Sequence, residues 1–104
     1  METGEAVKLL RLIGLSASAA QCYMYLVSQA PRAVKASAVS AELRVAKASA
    51  YRALDELITK GFAESTRVIA VTCYRAKPLS QAMDAYAEYQ RTIVRPIIAA
   101  GWLA

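Results

Sequence analysis

The 104 residues contain no histidine, only four glycines and only two cysteines. Without histidine the chain lacks the side chain most used as a general base and as a metal ligand near neutral pH. Cys22 and Cys73 stand alone, with neither a base partner for nucleophilic catalysis nor the paired spacing of a zinc site. The scattered glycines make no phosphate-cradling loop, and no two carboxylates stand at a catalytic spacing. These absences exclude an enzyme, and no metal or cofactor is expected. Both cysteines fall in apolar patterns and read as buried thiols. A disulfide between them is the alternative for a hyperthermophile, where intracellular bridges occur.

Long hydrophobic runs are missing too. The most apolar stretch, Ile93 to Ala104, contains Arg95 and Pro96 and falls far short of the roughly 20 residues that span a bilayer. Met1 to Gly4 is short, polar and acidic, unlike a secretory leader. With 57% hydrophobic and 20% charged residues and no low-complexity tail, disorder is excluded. The expectation is one soluble, cytoplasmic domain with no membrane partner.

Net charge is missing everywhere except in one window. From Arg32 to Lys77 nine cations (Arg32, Lys35, Arg44, Lys47, Arg52, Lys60, Arg67, Arg75, Lys77) face four acids, which leaves the whole net charge of +5 there. Outside it Lys8, Arg11, Arg91 and Arg95 cancel Glu2, Glu5, Asp84 and Glu88. Clustered cations that displace counterions are what binding to a polyanion requires.

Hydrophobic spacing orders the elements. Val7, Leu10 and Ile13 predict a short helix from Glu5 that stops at Gly14. Ser16 is an N-cap for a helix to about Gln29, with Ala20, Tyr23, Met24 and Val27 as its apolar stripe and Pro31 beyond its end. A third helix runs from about Lys35 to Leu43, with Ala36, Val39 and Leu43 inward. A fourth runs from about Ala46 to Lys60, with Ala50, Leu54, Leu57 and Ile58 inward and Gly61 as its left-handed stop. The period then changes to two. Phe62–Ser65 and Val68–Arg75 read as strands joined at Thr66–Arg67. Pro78 ends the pair, and a long last helix comes next, kinked by Pro96.

Three helices followed by a hairpin are the order of a winged helix. The fold class is α+β, mainly α: an N-terminal helix (1–14), a winged helix-turn-helix (15–78) and a long C-terminal dimerisation helix (79–104). On the fourth helix the face opposite Leu54 holds Ala48, Ser49, Arg52, Asp55 and Glu56. Its leading half is cationic and its trailing half acidic, as major-groove insertion requires. Arg52 is the candidate base contact, since a guanidinium pairs with guanine O6 and N7. Ser49 can bond base or phosphate, and Arg44 and Lys47 position the module on phosphates. Tyr51 packs its ring while its hydroxyl stays toward DNA. Arg67 at the wing tip reaches flanking DNA, and Lys35 and Arg75 complete the set, Arg75 near the wing base.

The residues Gly14-Leu15-Ser16, Ala20, Tyr23, Val45, Tyr51-Arg52-Ala53-Leu54-Asp55-Glu56-Leu57, Lys60-Gly61-Phe62 and Tyr74-Arg75-Ala76-Lys77-Pro78 together resemble the DNA-binding domain of TrmB-type archaeal winged-helix regulators, and are similar to the broader MarR-like group. The resemblance spans residues 12–80 and implies a transcriptional regulator. Ala19 departs from the pattern, standing where a capping-box Glu belongs. So do Lys35, in place of a Ser or Thr cap, and Ala46, in place of a frequent proline. The sugar-binding domain of the larger TrmB proteins has no counterpart in these residues, so a sugar bound in that way is not the expected signal, and no effector is identified.

A single winged helix reads few base pairs, so a homodimer on double-stranded DNA is expected. Met83, Tyr86, Gln90, Ile93 and Ile97 form a seam along the last helix, and Trp102 near its end would be buried by pairing. The seam folding back on its own domain is the alternative. The competing function is a winged-helix module that binds protein in a transcription or scaffolding assembly. Lys47, Ser49, Arg52 and Arg67 on the exposed side favour DNA.

Overall fold

A computed structural model describes residues 3–101. Helix α1 (Thr3–Leu12) ends at Gly14, whose φ of +115° only glycine adopts freely. Helix α2 (Ala17–Gln29) starts as expected: the Ser16 hydroxyl accepts the Ala19 N–H at 3.2 Å. Its buried face is Ala19, Ala20, Cys22, Tyr23 and Leu26, whereas Met24 is half-buried and Val27 is 42% exposed. The stripe is broader than the predicted one and turned from it because α2 packs against α1, the fourth helix and the sheet at once. Cys22 and Cys73 are buried free thiols, and burial pushes the Cys22 thiol up to about 12.

A two-residue strand, β1 (Val34–Lys35), precedes α3 (Ala36–Leu43). It pairs with a later strand through Val34↔Tyr74 and Lys35↔Cys73 and completes a three-stranded sheet. Two residues carry no period, so the sequence does not announce it. Helix α4 (Lys47–Thr59) buries Ala50, Ala53, Leu54 and Leu57. Ala53 takes the inward place expected of Ile58, which is 37% exposed. Gly61 has φ +85°, the predicted left-handed stop, and Ala85 packs so closely that a Cβ there would collide with it.

The hairpin differs from the predicted one. Strands β2 (Ala63–Val68) and β3 (Val71–Ala76) pair in register from Ala63↔Ala76 to Val68↔Val71. The turn is therefore Ile69–Ala70, not Thr66–Arg67, and Arg67 lies within β2 opposite Thr72. Polar Ser65-Thr66-Arg67 resembles a turn in sequence, but the β-branched Val68, Val71 and Thr72 extend the ladder beyond it. The cost falls on Ile69, whose φ of +56° is rare for a β-branched residue and worth about 1–3 kcal/mol of strain.

Phe62 anchors the core, edge-on to Tyr23 at 5.5 Å and tilted against Tyr86 at 5.7 Å. The Tyr23 hydroxyl donates to the Lys77 carbonyl at 2.8 Å. The last helix begins as α5 (Leu79–Tyr89), passes through a π turn (Gln90–Val94) and ends as α6 (Arg95–Ala99). In the π turn the Arg95 N–H reaches back to the Gln90 carbonyl. The irregularity thus precedes Pro96, which has no N–H of its own to give the helix.

Candidate nucleic-acid interface

The turn between α3 and α4 is built by Ser40 and Arg44. Arg44 adopts the left-handed conformation (φ 56°, ψ 47°) as the C-cap of α3. The Val45 N–H returns to the Ser40 carbonyl, and the Ser40 hydroxyl donates to the Val45 carbonyl at 2.6 Å. This corner sets the angle at which α4 leaves α3 and holds the Arg44 side chain exposed.

Helix α4 then starts at Ala46 with no side-chain cap, and α3 starts at Lys35 with none. Their first N–H groups therefore lack the side-chain acceptor that usually satisfies them. Exposed lysines stand at both places, Lys35 before α3 and Lys47 in the first turn of α4. A groove between α4 and the wing is lined by Lys35, Ser37, Lys47, Tyr51, Thr72 and Tyr74 among others. Tyr51 is 48% exposed on its wall. Ser37 and Thr72 are polar groove residues that sequence reasoning missed. Only the pairing of β1 with β3 brings them beside α4, and so short a strand leaves no signal.

Farther along α4 the Arg52 guanidinium donates to the Ser49 hydroxyl at 3.2 Å. A depression on this side is lined by Ser16, Ser18, Ser49, Arg52, Ala53 and Glu56, so the start of α2 borders Arg52. Among the described residues no acid pairs with Lys35, Arg44, Lys47, Arg52 or Arg67. Arg67 instead donates to the Ala70 carbonyl at 3.2 Å, which lays its guanidinium along the turn.

Arg75 behaves otherwise. It faces Glu64 across the β2–β3 ladder and donates to its carboxylate at 3.0 Å (Nε) and 2.5 Å (Nη2). Its charge is neutralised within the sheet.

In the trailing half of α4, Glu56 does more than keep negative charge away from phosphates. Glu56 accepts the Ser16 N–H at 2.8 Å and the Ser16 hydroxyl at 2.7 Å, and Lys60 donates to it at 3.1 Å. Lys60 also donates to the Gly14 carbonyl at 2.7 Å. Burial alone would raise the Glu56 carboxyl, but the Ser16 N–H, the Ser16 hydroxyl and the Lys60 ammonium together hold it below the usual carboxylate value. Glu56 thus makes the bond that a capping-box Glu at Ala19 would have made.

The C-terminal seam divides in two. The Tyr86 ring packs on Phe62 and its hydroxyl abuts Gly14, while Gln90 donates to that hydroxyl at 2.8 Å. Met83, Ile93 and Ile97 are exposed, as is Ile98. The π turn (Gln90–Val94) falls between Met83 and Ile97 and shifts the helical phase there. Trp102 lies outside the described residues.

Among the described residues no helix is long and apolar enough to cross a membrane, and no group of three His, Cys, Asp or Glu is placed to hold a metal ion.

Several solved structures share this architecture. A transcriptional regulator superposes with a TM-score of 0.69 at 17% identity, over 98% of this chain and 75% of its own. A possible transcriptional regulator from Methanosarcina mazei gives 0.62 at 12% identity, over 100% of this chain and 91% of its own. The adhesin competence repressor of Streptococcus pyogenes gives 0.57 at 15% identity over 86% of this chain, which spans 66% of that repressor. These likenesses establish the winged-helix fold. No curated protein sequence matches the chain. Residues 10–80, from the end of α1 to the start of α5, match the family described as sugar-specific transcriptional regulator TrmB. That match covers the helix-turn-helix and the wing, and the chain belongs to this family of transcriptional regulators rather than to any family of enzymes.

Proposed function

We propose that the chain binds double-stranded DNA with sequence preference, as a homodimer, with the leading half of α4 in the major groove and the wing on flanking DNA. One observation carries this reading. Among the described residues Lys35, Lys47 and Arg52 are exposed and pair with no acid; the two lysines stand at helix starts that lack side-chain caps, and Arg52 lies about a turn farther along α4. Uncapped N–H groups and unpaired cations are complementary to phosphate oxygens. Arg52, steadied by Ser49, reads a base edge. Lys35, Arg44, Lys47 and the Tyr51 hydroxyl hold phosphates, while Arg67 flanks the wing contact. Arg75 serves the wing itself through Glu64.

Dimerisation falls to Met83, Ile93 and Ile97, with Tyr86 and Gln90 fixing the helix from behind. The exposed Leu9 and Leu12 of α1 offer a second apolar strip to a partner copy. Sedimentation of a chain truncated after Ala87 tests this. Loss of the dimer is expected, and an unchanged dimer would refute the assignment.

Titration against a random duplex of about 30 base pairs at several salt concentrations tests DNA binding itself. A steep fall of affinity with salt is expected. Absence of binding even at low salt would leave an acidic protein partner as the reading of the same cations.

A further inference from the structure

The wing tip is the least ordinary part of the surface. Ile69 is 95% exposed at φ +56°, in a two-residue turn where glycine or asparagine would sit without strain. Its neighbours Val68 and Val71 are also exposed, so the tip is an apolar point rather than a polar loop. Folding gains nothing from this choice, because the side chain buries no surface and occupies a conformation that β-branched residues avoid. Strain held at an exposed position with no packing benefit marks a contact made outside the chain.

The surroundings specify that contact. Arg67 lays its guanidinium on the Ala70 carbonyl beside Ile69. The groove lined by Lys35, Lys47 and Tyr51 runs up to Ala70 and Val71. An apolar point one residue wide, flanked by a cation and continuous with a cationic surface, is complementary to a narrow channel walled by phosphates. Apolar side chains that enter the minor groove do so between base steps and unstack them partly.

We propose that Ile69 is a wedge that enters the minor groove beside the α4 contact and opens a base step there, with Arg67 bonding the adjacent backbone. The proposal rests on the DNA-binding reading above and adds to it a deformation of the duplex. It predicts a preference for pyrimidine–purine steps, which unstack most easily, at a position that α4 does not touch.

The test uses the full chain and duplexes carrying 2-aminopurine at TpA steps spaced one helical turn apart. Binding of the unaltered protein should raise 2-aminopurine fluorescence. Ile69→Asn should bind several-fold more weakly, with an unchanged salt dependence, and give no rise. It should also melt at a higher temperature than the unaltered protein, since asparagine tolerates the left-handed turn. Ile69→Leu should keep the fluorescence rise. Silent fluorescence with bound unaltered protein, or Ile69→Asn binding at full affinity with the rise intact, overturns the wedge and leaves DNA binding standing. Failure of the unaltered protein to bind at low salt overturns both.

Discussion

The two ends of α4 use the same kinds of side chain to opposite effect. At the leading end the Ser49 and Arg52 side chains bond to each other, the helix has no side-chain cap, and among the described residues no acid pairs with Lys47. At the trailing end Glu56 and Lys60 are tied to Ser16 and Gly14 at 2.7–3.1 Å and are largely withdrawn from solvent. The leading end faces solvent, and the trailing end is tied to the start of α2. In the proposed complex the leading end meets phosphate oxygens that can accept its N–H groups, while the trailing end is fastened to the start of α2. On this proposal stability and binding are separated along the thirteen residues of a single helix.

That separation can be broken residue by residue. Arg52→Ala should weaken binding to a preferred site by about 1–3 kcal/mol and relax preference at one base pair. Its melting temperature should stay unchanged, and equal losses on preferred and random duplexes would remove the base-reading role. Glu56→Gln should do the reverse, costing about 1–2 kcal/mol of stability in urea melts at neutral pH by unmaking the second cap of α2. Because the folded carboxyl is held below its unfolded value of about 4.3, its contribution is complete above that pH and disappears as pH falls through the folded value. The two proteins should therefore converge in stability in acid, and a constant gap would mean that shape rather than charge is at work.

Ala46→Asp sharpens the contrast within one substitution. An N-cap acid should stabilise α4 by about 1 kcal/mol. The same carboxylate, placed where phosphates approach, should weaken DNA binding, so melting and affinity move in opposite directions. Lys47→Ala should have the smallest effect, lowering the salt slope of binding by about one and weakening all sequences alike. A change in sequence preference would make Lys47 a reader rather than a positioning cation.

Much of the architecture was legible because it rests on local chemistry. The Ser16 cap and the left-handed stop at Gly61 each lie within one turn of chain, the period of α4 lies within one helix, and the order of three helices and a hairpin could be read from them. What escaped was set by partners distant in sequence. The strand β1 exists only because β3 lies beside it. The wing turned two residues beyond the polar run, because the pairing of Arg67 with Thr72 outweighs the local turn preference. Arg75 reads in sequence as a DNA-contacting cation near the wing base, whereas its ladder partner is Glu64. Glu56 belonged by angle to the exposed face, and no feature of its neighbourhood in sequence signals that its partner is forty positions away.

The Glu56–Ser16 bond has a consequence for how the chain acquires its shape. Helix α2 is thirteen residues long, close to the length below which isolated helices are marginal in water, and half of its N-terminal cap is supplied by another helix. A peptide covering α1 and α2 alone lacks that acceptor and should show little helix by circular dichroism. The bond from Lys60 to the Gly14 carbonyl ties the corner at Gly14 to α4 as well. Helix α2, α4 and the corner between α1 and α2 are thus joined by side-chain bonds and are expected to order as one unit.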